Sequence, residues 1–249
     1  MAVTLKDGLD HGTRATDEVR ARVAQIVAAV RDEGADGVRR LSRELDGWEP
    51  ERFALGRDRA QELAASVPAE LRAHIERAAG RVRAFAEAQR GALRDVEVEL
   101  EPGVIAGHRL VAVASVGAYV PGGRYPLISS ALMSVVPARV AGVRRVVVAT
   151  PPQADGSPAA ATVHAALVAG ADEIYVVGGA HALAGLAFGA LDGLEPVDMV
   201  VGAGNAYVAE AKRQLYGEVG IDLLAGPTEI LVIADATADA ERVAVDLLS

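Results

Sequence analysis

Four short segments carry the residue types best suited to chemistry. They are Gly117-Ala-Tyr-Val-Pro-Gly-Gly123 with Arg124-Tyr-Pro126 after it, Val177-Gly-Gly-Ala180, Val201-Gly-Ala-Gly-Asn205 and Ala225-Gly-Pro-Thr-Glu229. Glycines let a backbone approach a ligand closely, and Pro121 stiffens the first loop. The third segment reads as strand, glycine turn, then helix, so the free N–H groups at the helix start would suit a phosphate. Neither the second nor the third segment fits the Gly-x-Gly-x-x-Gly dinucleotide fingerprint, because Gly202-Ala-Gly204 is followed by Asn-Ala-Tyr. Three glycine turns at successive strand ends of one sheet nevertheless point to a nucleotide or a similar ligand. In the fourth segment Thr228 and Glu229 precede the apolar run Ile230–Ala234 and are expected at a strand start.

Other chemistries are poorly provided for. The chain has no cysteine, which removes disulfides, thiolate zinc sites, iron–sulfur clusters and a cysteine nucleophile. The histidines are His11, His74, His108, His164 and His181, and no two are spaced as metal ligands on a helix. His74 and His164 read as helix-face residues; His181, just after a glycine turn, is the one placed to meet a ligand. There is no nucleophile elbow and no Walker loop. A formal charge of −9 and 4% aromatics argue against nucleic acid as a partner. The apolar runs are too short to span a bilayer, and the residues at the start form no signal-peptide core, so the expectation is a cytoplasmic protein without a membrane partner. The predominance of arginine over lysine reads as nucleotide bias with little functional weight.

The elements that must hold these loops alternate. After residue 110 the short apolar runs Leu110–Val116, Val143–Ala149, Glu173–Val177, Val197–Val201 and Ile230–Ala234 alternate with candidate helices at Ile128–Ala141, Ala159–Ala169, Ala182–Phe188, Ala206–Tyr216 and Ala238–Leu248. Buried β-branched strands joined by helices predict a parallel, doubly wound α/β sheet, whose ligands lie beyond the carboxyl ends of the strands. Residues 1–110 are richer in charge and read as amphipathic helices, a scaffold or a dimer arm. Val19, Val23, Ile26, Val27 and Val30 recur at helical spacing behind a Thr16 cap, and further helices are predicted at Arg57–Ser66 and from Pro68 to Gln89.

Read in order, the motifs resemble a known family. They run Val116-Gly-Ala-Tyr-Val-Pro-Gly-Gly123, Pro137-Ala-Arg-Val-Ala-Gly142, Asp172-Glu-Ile-Tyr-Val-Val-Gly-Gly179, Val201-Gly-Ala-Gly-Asn-Ala-Tyr-Val208, Ala211-Lys-Arg-Gln214, Gly220-Ile-Asp222, Gly226-Pro-Thr-Glu229 and Asp246-Leu-Leu-Ser249. This set resembles histidinol dehydrogenase over about residues 15–249. The resemblance implies two Rossmann-like parallel-sheet domains, the second inserted in the first, with an N-terminal helical region. It implies an N-terminal arm at 1–20, a first, incomplete α/β domain at 21–118 plus 229–249, and an inserted NAD-binding domain at 119–228. It further implies a homodimer that uses NAD and zinc to oxidise a primary alcohol to a carboxylate in two hydride transfers, with L-histidinol as the default substrate.

Matched motif by motif, Tyr119, His181 and Asn205 fall on NAD-contacting positions, and Thr228 falls on a substrate-contacting position. His181 stands where the family carries Gln, and Ala203 where it carries Pro. The family's zinc ligands and acid/base pair are expected beyond Ser249, so the resemblance implies no catalytic or metal-binding residue within this chain. It also implies that a chain of these 249 residues is a fragment of the family fold, inactive by itself or retaining only nucleotide binding. Gly123-Arg-Tyr-Pro126, Met133-Ser-Val-Val136 and Gly226-Pro-Thr-Glu229 are closer to the sulfopropanediol dehydrogenase branch, in which Arg124 could pair a sulfonate.

Overall fold

The computed structural model describes residues 16–122, 126–224, 230–235 and 237–248. Four helices come first. The Thr16 side chain accepts the Val19 N–H at 3.3 Å and starts α1 (Asp17–Glu33), with Asp17 and Glu18 at its positive end. Gly34, at φ +62°, ends α1 and opens α2 (Ala35–Asp46), which stops at the left-handed Gly47. Then come α3 (Arg57–Ser66) and α4 (Ala69–Ala92), the latter entered through Pro68. α1, α3 and α4 lie where the sequence places helices; α2 was not expected.

A hairpin follows, also unexpected. β1 (Val96–Glu101) and β2 (Val104–His108) pair antiparallel around a Pro102-Gly103 turn. Val96, Val98 and Leu100 alternate with Glu97, Glu99 and Glu101, the period of a strand.

The remaining elements build one parallel sheet. In chain order they are β3 (Ser115–Tyr119), α5 (Ile128–Val140), β4 (Arg145–Thr150), α6 (Ala160–Ala169), β5 (Glu173–Val176), α7 (Gly179–Phe188), β6 (Met199–Val201), α8 (Ala206–Leu215), β7 (Gly220–Ile221) and α9 (Ala240–Leu248). The strand order is β5-β4-β3-β6-β7, with β3 central and every neighbour parallel. The expected α/β class is therefore present. β3 and most of β4 and β5 are buried, as their near-continuous Val and Ala content requires of a sheet covered on both faces. One face packs with α7 and α8, on which α1 and α2 lie; the other packs with α5 and α6, backed by α3 and α4.

The N-terminal helices therefore act as scaffold. Val23, Ile26, Val27, Val30, Val38 and Leu41 share one core with Leu183, Leu186, Val208 and Leu215. Each such aliphatic side chain contributes roughly 1.5–3 kcal/mol when fully buried. Residues 53–55 also flank the outer edge of β5, where the Leu55 N–H reaches Ile174 O and the Val176 N–H reaches Phe53 O. That contact shields the edge from pairing with another chain.

Two expected strands need correction. Leu110–Val116 is not a strand throughout: Leu110–Ala114 is irregular and exposed, and pairing begins only at Ser115. Ile230–Ala234 forms no strand among the described residues, and Leu231 and Ile233 stand 85% and 91% exposed. Apolar, β-branched composition favours a strand only where a neighbour pairs with it and covers it. The expected domain division at 118/119 falls inside β3, so that strand belongs whole to the parallel sheet. Residues 1–15 of the expected arm lie outside the described residues. No helix among the described residues is long and apolar enough to cross a membrane.

His164 sits on α6 under α4, 8% exposed, and its Nε2 has no hydrogen-bond partner among the described residues. Burial holds its pKa below the usual histidine value; Arg72 acts the same way and Glu76 opposes it. The folded protein thus disfavours the proton that the unfolded chain accepts near pH 6.5. Stability should fall as pH drops from 7.5 to 5.5. His164→Leu should lose less over that range in denaturant melts; equal losses would show that His164 does not set this dependence.

Candidate functional site

The chain runs β3–α5–β4–α6–β5 to one side of β3, then returns through α7 to β6 on the other side. Consecutive strands therefore part company between β3 and β6. In such sheets the ligand crevice lies at that point, beyond the strand carboxyl ends. Two of the glycine turns meet there. Gly202 lies against the end of β3, where an added Cβ would stand 2.1 Å from Tyr119 O. With φ at +118°, the position also favours glycine on backbone grounds.

Asn205 sits at the mouth of this crevice, exposed to solvent. Its Oδ1 accepts the N–H groups of Tyr207 (3.1 Å) and Val208 (3.2 Å) and so caps α8. The carboxamide N–H groups make no hydrogen bond among the described residues, so the face left for a ligand is a donor.

The turn itself is held by an ion pair. Lys212 on α8, 2% exposed, donates from Nζ to Gly202 O at 2.8 Å and to Asp222 Oδ1. Asp222, just after β7, accepts the Gly202 N–H on Oδ2 at 2.8 Å.

On the other side of β3, Tyr119 is 5% exposed and points toward the start of α7. Its hydroxyl oxygen accepts the Gly179 N–H at 3.1 Å. Burial raises its pKa, the Gly179 hydrogen bond lowers it, and the nearby Asp46 carboxylate adds to the rise. The hydroxyl therefore stays protonated at neutral pH and keeps a hydrogen to donate.

His181 lies one turn into α7, 1% exposed. Its Nε2 is 3.3 Å from Asp46 Oδ2 but out of line for a hydrogen bond, and neither ring nitrogen has a hydrogen-bond partner among the described residues. The imidazole thus lies against Asp46, the last residue of α2.

Between these two groups, Pro151 at the end of β4 fills the space that side chains would need at Gly122 and Gly178. A cavity of about 490 Å³ opens there, lined by Gly122, Pro126, Thr150, Pro151, Ala159 and Thr162.

The structure thus brings the Tyr119 backbone carbonyl against the Gly202 turn, while the Tyr119 side chain reaches the start of α7. It places His181 against Asp46. Thr228 and Arg124 lie outside the described residues. Sequence reasoning missed Asp46, Lys212 and Asp222. For Lys212 a signal existed: it is one of two lysines in a chain with 23 arginines. Among the described residues no group of three or more His, Asp or Glu side chains could hold a metal ion.

Comparison with known proteins agrees with this fold. The family model for histidinol dehydrogenase matches residues 9–249. A histidinol dehydrogenase homolog of Shouchella clausii is 52% identical over 93% of this chain and 54% of its own length. A sulfopropanediol 3-dehydrogenase of Ruegeria pomeroyi is 43% identical over 93% of this chain and 53% of its own length. The crystal structure of histidinol dehydrogenase from Elizabethkingia anophelis superimposes with a TM-score of 0.85 at 31% identity, over 94% of this chain and 54% of that one. The chain therefore spans about half the length of the relatives it matches, and it belongs to the histidinol dehydrogenase family.

Proposed function

We propose that the intact protein carrying this chain is an NAD-dependent dehydrogenase that oxidises a primary alcohol to a carboxylate, with L-histidinol as its default substrate. The observation that carries the reading is the crevice between β3 and β6, where the Gly202–Asn205 turn and the Tyr119 loop converge at the strand carboxyl ends of a family-matched sheet. The residues there fit a dinucleotide. Asn205 offers donor hydrogens beside the α8 N-terminus, a favourable place for phosphate oxygens. The cavity between Gly122 and Thr162 offers a mixed wall, Pro151 and Ala159 beside Thr150, Gln153 and Asp155. When bound, NAD supplies the hydride acceptor; the residues of this chain bind and orient it.

The overall balance is one alcohol, one water and two NAD giving one carboxylate, two NADH and three protons. Zinc belongs to the family reading, but the described residues supply no ligand set for it.

A second reading has its own support. The Ruegeria pomeroyi relative named sulfopropanediol 3-dehydrogenase makes a small sulfonated diol a competing substrate, and Arg124 would be the residue to meet the sulfonate. One assay separates the two. The intact gene product is offered L-histidinol or 2,3-dihydroxypropane-1-sulfonate with NAD, and absorbance at 340 nm is followed. Two NADH per molecule of one alcohol consumed is the expected result. No NADH from either would remove both substrates, and one NADH per molecule would remove the four-electron step.

Asn205 tests cofactor placement separately. Asn205→Asp keeps the α8 cap, so stability should hold, while its carboxylate should raise the NAD dissociation constant about tenfold or more. Asn205→Ala should cost about 1 kcal/mol of stability through the lost cap. Unchanged NAD affinity in both variants would mean that Asn205 only caps the helix.

A further inference from the structure

The two backbone polar groups of Gly202 end on the same ion pair. Its carbonyl accepts from Lys212 Nζ at 2.8 Å, and its N–H donates to Asp222 Oδ2 at 2.8 Å, while Lys212 also holds Asp222 Oδ1. Lys212 is 2% exposed, whereas the Asp222 side chain is 28% exposed. Gly202 is pressed against Tyr119 O with no room for a side chain. The peptide planes on either side of Gly202 can turn only if these bonds break. Their orientation decides which backbone groups between Gly202 and Asn205 face the crevice.

The residue types match the task. Basic positions in this chain are overwhelmingly arginine, yet this one is lysine. A compact ammonium can place separate hydrogens on a carbonyl from one segment and a carboxylate from another, whereas a planar guanidinium fork is larger and matches one carboxylate. Holding the Lys212 ammonium away from water is costly, and an apolar side chain of similar size often serves stability as well or better. A role in stability alone therefore explains the pair poorly.

We propose that Lys212 and Asp222 are positioning residues for the dinucleotide: they set the Gly202–Asn205 turn in the shape that receives it. The proposal rests on the NAD reading above. It predicts that affinity for NAD and stability of the fold respond differently to changes in the pair.

The test uses the intact gene product, with NAD affinity from titration calorimetry and melting temperature from scanning calorimetry. Lys212→Met and Asp222→Asn should each weaken NAD binding about tenfold or more and lower the melting temperature. The double variant Lys212→Met/Asp222→Leu removes both charges and should recover much of the melting temperature, but not the affinity. Ser115→Ala serves as control: it loses hydrogen bonds to Asp198 at the amino-terminal end of β3, away from the crevice, and should melt lower with NAD affinity unchanged.

Wild-type affinity in the double variant would overturn the proposal. So would affinity that tracks melting temperature across all variants, Ser115→Ala included. A wild-type protein that does not bind NAD would instead sink the NAD reading, and the proposal with it. That result is distinct from a wild type that binds and variants that bind equally well.

Discussion

The architecture depends on the register of β3. A parallel strand buried on both faces has no polar side to mark its correct offset, so Val and Ala at successive positions would tolerate a slip. Carboxylates at the strand starts remove that ambiguity. Asp198 Oδ2 accepts both the Ser115 N–H at 2.7 Å and the Ser115 hydroxyl at 2.8 Å, and the Ser115 hydroxyl oxygen accepts the Asp198 N–H at 3.0 Å. Those bonds hold the Asp198 carboxyl below the usual carboxylate range. Asp172 Oδ2 does the same for β4 through the Val146 N–H at 2.7 Å. A slip of one residue would move Tyr119 by about 3.3 Å along the strand, enough to break its contact with Gly179.

Much of this was legible in the sequence. Helix α1 could be read from its valine spacing and its Thr16 cap, and the strands β4 and β5 from apolar runs ending in glycine or proline. The three glycine turns were legible because so few backbone situations demand glycine beside a strand end. Other features were not, each for a physical reason. Helix α2 follows α1 with only Gly34 between, so one long periodic stretch hides two elements. The β1–β2 hairpin alternates clearly, but its glutamates look like any solvated face. Ile230–Ala234 has the composition of a buried strand, and composition does not reveal whether a partner strand stands beside it. Lys212 and Asp222 stand in two separate motifs, and only the fold brings them together over Gly202.

The N-terminal helices are tied to the site as well as to the core. Asp46, the last residue of α2, lies beside His181 and near the Tyr119 hydroxyl, while Trp48 just beyond donates its indole N–H to Val176 O at 3.2 Å. The loop after α2 therefore packs against the carboxyl ends of the sheet. This explains how a charged, amphipathic region can belong to the same unit as the apolar sheet: its buried face contacts α7 and α8, and its last turn contacts the loops.

The two edges of the sheet carry different duties. Aspartates at the strand starts fix register, while exposed turn positions such as Ala203 at the strand ends meet solvent. A change at those exposed positions leaves the anchoring carboxylates untouched. Selection can therefore act on ligand choice there almost independently of folding. Descendants of one such scaffold can diverge in the ligand they accept while inheriting the same strand alignment.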